Sequence, residues 1–184
     1  MTPPLRVYPL PHMASLPARG TPASAGLDLH SCWSEASPVV IRKGHVNYGD
    51  NGRPIRFPPI EPEKRHHPDY IAIEPGCVAL IPTGVCVAIP VGHEGQVRLR
   101  SSTGLRTSLI MPHGVGTIDS DYRDELKVIV RNVGPSAHYV YPGDRLAQLV
   151  VAPVAMLAVE VVDSLDALGG DDRGGGFGST GGGL

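Results

Sequence analysis

The chain has 184 residues, 41% of them hydrophobic, and a formal net charge of −2. That length favours one domain with a core of its own, and the near-neutral balance provides no general polyanion-binding surface, which argues against stable nucleic-acid binding. No stretch approaches about 18 consecutive apolar residues, so no membrane-spanning segment is expected.

The N-terminal stretch "MTPPLRVYPLPHMASLPARG" (1–20) is broken by prolines and holds no apolar run of signal-peptide length. Cys32, Cys77 and Cys86 are an odd number with no C-x-x-C pair. They are expected to be reduced thiols of a cytoplasmic protein, not a disulfide framework or a zinc site. Residues 44–69 are polar and proline-rich and suit an inserted surface loop. The adjacent His66 and His67 within it point in different directions in most backbones, so a solvated pair is expected there in place of a metal site.

From residue 70 the chain changes character. "YIAIEPGCVALIPTGVCVAIP" (70–90) reads as three short strands separated by Pro-Gly and Thr-Gly turns. A short helix is expected after Arg100. In "ELKVIVRNVG" (125–134) Leu126, Val128 and Val130 alternate with Lys127, Ile129 and Arg131, and "HYVYPGDRLAQLVVAPV" (138–154) gives two more strands around a Pro-Gly-Asp turn. Short β-branched runs punctuated by turn signals predict an all-β sandwich or barrel. "DSLDAL" (163–168) is a second, weaker helix candidate. The last segment, 169–184, has nine glycines in 16 residues and separates as a flexible C-terminal arm from a β domain over 1–168.

One hairpin, "GTIDSDYRDEL" (116–126), is unusually acidic. An ordinary turn needs one Asp, Asn or Gly. A solvated turn explains the charges, and so does a site in which a carboxylate activates water beside an aromatic ring. The arm raises the same alternative: Arg173, Phe177, Ser179 and Thr180 offer a cation, an aromatic face and two hydroxyls among glycines that permit close approach of a phosphorylated ring compound.

Five separated stretches then fit one family. "ASAGLDL" (23–29), "RSSTGL" (100–105), "GVGTIDSDYRDE" (114–125), "GDRLAQL" (143–149) and "RGGGFGSTG" (173–181) together resemble the five motifs of the trimeric deoxyuridine triphosphatases (dUTPases), in the family's order. The resemblance covers 23–181. It implies a jelly-roll-like β-barrel fold with one short helix, a homotrimer with active sites at subunit boundaries, and Mg²⁺-dependent hydrolysis of dUTP to dUMP and pyrophosphate. That reaction limits uracil incorporation into DNA and supplies dUMP for dTMP synthesis.

Each implied role has a physical reason. Attack at the α-phosphorus needs a water held in line by a base, and the resemblance assigns that base to Asp119. A Tyr122 ring under the deoxyribose leaves no room for a 2′-hydroxyl. The backbone from Gly114 through Gly116 and Thr117 to Ile118 would read uracil. His113 stands where many members carry Asn, and Asp124 where many carry Gly; Asp121, Arg123 and Glu125 would orient the hairpin. Arg100, Ser101 and Ser102 would hold phosphates at a helix start, whereas Thr103 reads as structural. Gln148 would use its amide on a phosphate oxygen or a serine of the second motif, with Asp144 and Arg145 paired across their turn. Phe177 and Gly178 would close over uracil while Arg173, Ser179 and Thr180 take the γ-phosphate. Arg173 stands four residues before Phe177, where many members have five. Asp28 would touch Mg²⁺ through water or serve a structural role; no dedicated cage is visible, which fits an ion carried by the triphosphate.

Two other functions fit the same fold. A dCTP deaminase would carry a glutamate base in the strand after the hairpin, but that strand reads "LKVIV". A nucleotide-sensing module would use the 44–69 insertion for a partner.

Overall fold

The computed structural model describes residues 4–43, 63–65 and 69–171. Arg173, Phe177, Gly178, Ser179 and Thr180, and the His66–His67 pair, lie outside the described residues. In chain order the strands are β1 (Arg6–Pro9), β2 (Leu27–His30), β3 (Val39–Lys43), β4 (Glu63–Arg65), β5 (Ile71–Ile73), β6 (Cys77–Pro82) and β7 (Val85–Ala88). They continue as β8 (His93–Leu99), β9 (Leu109–Ile110), β10 (Gly116–Ile118), β11 (Lys127–Asn132), β12 (His138–Val140) and β13 (Arg145–Pro153), with one helix, α1 (Ser101–Arg106).

Two antiparallel sheets carry the fold, one in the order β10-β8-β13-β2 and one in the order β4-β3-β6-β11-β9. The pairs β1-β7 and β5-β12 complete it. The strands form open sheets and not a closed barrel, which agrees with a jelly-roll-like all-β architecture. The period-two reading holds where it was sharpest: in β11 Val128, Val130 and Asn132 are buried while Lys127, Ile129 and Arg131 are half-buried. Leu29, Val97 and Leu149 of the first sheet and Val39, Ala79, Ile81, Val128 and Val130 of the second belong to one hydrophobic cluster.

The structure departs from the sequence reading at three places. Residues 63–65, expected within an irregular loop, pair antiparallel with β3 as Val39↔Arg65 and Ile41↔Glu63. The second helix candidate is reduced to a 3₁₀ turn over Asp166–Leu168. Asp144 and Arg145 do not pair with each other: Asp144 Oδ2 accepts from the Tyr141 N–H at 2.8 Å, closing its own turn, and Arg145 turns to Asp28.

The chain divides into two compact units, 1–154 and 155–184. In the second, Leu157, Val159, Val161 and Leu165 are 84–93% exposed, an apolar run that this unit does not bury. No helix among the described residues is long and apolar enough to cross a membrane.

Cys32 and Cys77 are buried free thiols, and Cys86 is half-buried. Burial pushes the Cys32 thiol up to about 11 from its ordinary 9.0; a backbone hydrogen bond with Ala14 opposes that rise and the Glu125 charge adds to it. The unfolded thiol therefore ionises first as pH passes 9, so the stability Cys32 contributes is complete below pH 9 and is lost as pH rises to about 11. Urea melts should show wild type losing more stability than Cys32→Ala across that interval, by up to about 2 kcal/mol. Parallel losses in the two proteins would contradict this.

Candidate functional site

The acidic hairpin is built by β10, which pairs with β8 as Gly116↔Val97 and Ile118↔Gly95. The Tyr122 N–H then turns back onto the Asp119 carbonyl at 3.2 Å. Beneath the hairpin lies a cleft of about 1160 Å³, lined among others by His113, Gly116, Thr117, Ile118, Asp119 and Tyr122. These six were singled out from the sequence, and the fold brings them together. Gly116 admits no side chain freely, because a Cβ there would stand 3.2 Å from His113 Nε2 and 3.3 Å from Val97 Cβ. Gly114 has φ +74° and donates to the Met111 carbonyl. It does not line the cleft itself but lets the chain turn into it.

Asp119 is exposed at the cleft, and its carboxylate makes no ion pair or hydrogen bond with another described residue. Its carboxylate is thus available to a water. Tyr122 lines the same space. Its hydroxyl donates to the Glu125 carbonyl at 3.1 Å, and burial, followed by the charge of Asp124, raises its pKa, so the hydroxyl stays a donor at neutral pH. Asp124, unexplained in the sequence, also lines the cleft.

A second group forms elsewhere on the first sheet. Register places Gln148 of β13 between Asp28 of β2 and Arg98 of β8. Asp28 Oδ1 meets Arg100 Nε at 3.0 Å, and Oδ2 meets Arg145 Nη1 at 3.4 Å. Two guanidiniums on one carboxylate leave a net positive group beside Ser101 and Ser102 at the start of α1. Neither serine caps the helix, whose N-cap is Arg100 without a side-chain bond. Thr103 is structural, as expected: it is buried and its hydroxyl donates to the Leu146 carbonyl at 3.0 Å. The Gln148 amide donates at 3.5 Å to the Leu99 carbonyl and, among the described residues, to no serine. None of Asp28, Arg100, Ser101, Ser102 or Gln148 lines the cleft.

Gly26 sets the position of Gln148. A Cβ on Gly26 would lie 2.9 Å from both Cβ and Cδ of Gln148, so Gly26→Ala must push the amide aside. If Gln148 holds phosphate, this variant should raise KM for a triphosphate substrate about tenfold, a loss of about 1.4 kcal/mol in binding, with the fold retained. Steady-state kinetics beside a thermal melt check it, and an unchanged KM would remove Gln148 from the site.

Sequence reasoning missed the contribution of the N-terminal turn. Leu10, Pro11 and His12 line the cleft, together with Ser37. Among the described residues His12, Cys32 and Glu125 bring potential metal-ligand atoms within 4.8 Å of one another. The Glu125 carboxylate, however, already accepts from Gly84 N–H and Ser37 Oγ and faces His12 Nε2, and a buried thiol does not suit Mg²⁺. No oxygen cage for Mg²⁺ exists among the described residues. Each oxygen of Asp28 is turned to a guanidinium, which leaves it poorly placed to ligate an ion directly. These residues fit Mg²⁺ only as an ion carried on a polyphosphate.

Comparison with known proteins gives a consistent result. The dUTPase family model matches residues 66–181. The deoxyuridine 5′-triphosphate nucleotidohydrolase of Syntrophotalea carbinolica is 38% identical over 178 residues, 96% of each chain. That of Anaeromyxobacter sp. is 42% identical over 149 residues, covering 78% of this chain and 99% of its own. Among solved structures, a mutant of the Staphylococcus bacteriophage 80alpha dUTPase with dUpNHpp superposes with a TM-score of 0.70 at 22% identity, covering 98% of this chain and 99% of that one. The phage phi11 dUTPase, described with a structural Mg(II) ion, gives 0.64 at 22% identity and covers 89% of this chain and 99% of its own.

Proposed function

The chain belongs to the dUTPase family and is a dUTP-hydrolysing enzyme, and on that premise we propose that it releases pyrophosphate by attack of an Asp119-activated water on the α-phosphate. The observation that carries this is the unpaired Asp119 carboxylate facing the cleft beside Tyr122. Uracil sits against the backbone of residues 114–118, and the sugar rests over Tyr122. Asp119 takes a proton from the water as the water oxygen bonds to the α-phosphorus. The bond from that phosphorus to the bridging oxygen breaks, and its electron pair leaves with pyrophosphate. Mg²⁺, when bound, supplies charge neutralisation on the triphosphate, with Asp28 reaching it through water.

The triphosphate needs the Asp28–Arg100–Arg145 group as well, and that group does not face the chain's own cleft. This supports a site completed by a second copy within a homotrimer. The exposed apolar run from Met156 to Leu168 gives such an assembly something to bury. Arg173, Phe177, Gly178, Ser179 and Thr180 close the site over base and γ-phosphate. The composition supports a cytoplasmic location, with no stable nucleic-acid or membrane partner.

The test is pyrophosphate release from dUTP, dCTP and UTP in parallel with Mg²⁺. Release from dUTP alone is expected; ammonia from dCTP would replace this reading with a deaminase. Static light scattering should return the mass of three chains, and a monomer that retains activity would refute the shared site.

A further inference from the structure

We propose that Glu125 and His12 are positioning residues for sugar selection, holding the Tyr122 ring at the height at which it excludes a 2′-hydroxyl. The inference rests on the reading of Tyr122 as the sugar platform and adds what fixes that platform in place.

A ring excludes a hydroxyl only if it cannot sink. Tyr122 is attached at both ends: its N–H to the Asp119 carbonyl at 3.2 Å, and its hydroxyl to the Glu125 carbonyl at 3.1 Å. The second attachment matters only if that carbonyl is itself immobile. It belongs to the Glu125–Leu126 peptide, whose N–H donates to the Val85 carbonyl at 2.8 Å. On one side of this peptide Leu126 is fully buried, and its own carbonyl accepts from Thr83 Oγ1 at 2.7 Å. On the other side stands the buried Glu125 side chain.

That side chain reaches three further segments. Oε1 accepts from Gly84 N–H at 2.6 Å and meets His12 Nε2 at 2.9 Å; Oε2 accepts from Ser37 Oγ at 2.5 Å. Lys127 Nζ stands 4.0 Å from Oε2. The Gly84 peptide is fixed in turn. It has φ +69°, its carbonyl accepts from Leu10 N–H at 2.8 Å, and a Cβ there would meet Met13 Cα at 2.5 Å. His12 therefore joins the N-terminal turn to the hairpin directly, through the carboxylate, in parallel with the link through Gly84. A charge-assisted network of this kind costs heavily when one partner is removed, because the others remain buried and unpaired. Here the cost falls on the peptide that carries the tyrosine hydroxyl.

The discriminating readout is the ratio of kcat/KM for dUTP over UTP, since a merely structural role scales both substrates alike. Tyr122→Phe keeps the ring and removes only the tie, and His12→Ala removes the outer partner. Each should lower the ratio by about tenfold, the size expected when a pocket wall yields by about one small group. His12→Gln, which restores a donor near Nε2, should recover most of it, and Glu125→Gln should fall between. If Glu125 variants fail to fold, the His12 and Tyr122 variants still decide. Tyr122→Ala serves as the reference. If it relaxes the ratio while Tyr122→Phe and His12→Ala keep the wild-type value, the positioning role is overturned and the sugar platform stands. If Tyr122→Ala also keeps the wild-type ratio, the platform reading falls, and this inference with it.

Discussion

Asp119→Asn is expected to lower kcat for dUTP by about 10²–10⁴-fold, the range a positioned general base supplies. Asparagine keeps the shape of the side chain but cannot take a proton at neutral pH. Because Asp119 is exposed and its carboxylate has no partner among the described residues, its neutralisation strands no buried charge. Stability should stay within about 0.5 kcal/mol of wild type, as for surface substitutions generally. KM should change little, since the backbone of residues 114–118 and the phosphate-binding group are untouched. Pyrophosphate release under saturating dUTP, with a thermal melt as control, measures both quantities. Full turnover by this variant would remove Asp119 as the base.

Removal of residues 173–184 is the second large effect, expected to reduce kcat/KM by about 10²-fold or more, as for loss of substrate positioning. The deleted residues carry the cation, the aromatic ring and the two hydroxyls proposed to take the base and the γ-phosphate. The apolar run from Met156 to Leu168 remains in the truncated chain, so assembly should survive. Light scattering and kinetics on the same sample separate the outcomes. A trimer of full activity would leave the arm without a catalytic role, and loss of the trimer would give it a structural one.

What was legible in the sequence followed local rules. Alternation in β11 and the Pro-Gly and Thr-Gly turns of 70–90 mark strand and turn because period and backbone freedom are properties of a few adjacent residues. Six residues between His113 and Tyr122 were legible because one short motif lines one cleft. Contacts set by tertiary packing were not. Asp28 is separated by more than seventy positions from Arg100, and only sheet register shows that it takes both Arg100 and Arg145, leaving Asp144 to close its own turn. The N-terminal turn read only as a proline-broken stretch without an assigned role. Its signal was a histidine directly after Leu-Pro in an otherwise uncharged turn. Glu125 read as one acid among several, yet it is the buried one, at 8% exposure, and burial of a carboxylate cannot be seen without its three donors.

In the proposed homotrimer, one active site takes its base and sugar platform from one copy and its phosphate-binding residues from another. The most direct measurement is complementation between two inactive variants, Asp119→Asn and Arg100→Ala combined with Ser102→Ala, co-expressed so that mixed trimers form. The first lacks the base but keeps the phosphate group, and the second the reverse. Mixed assemblies should regain dUTP hydrolysis that neither parent shows, because some sites then receive an intact contribution from each chain. Mixed trimers that remain as inactive as both parents would contradict it, and would mean that each chain holds its complete site alone.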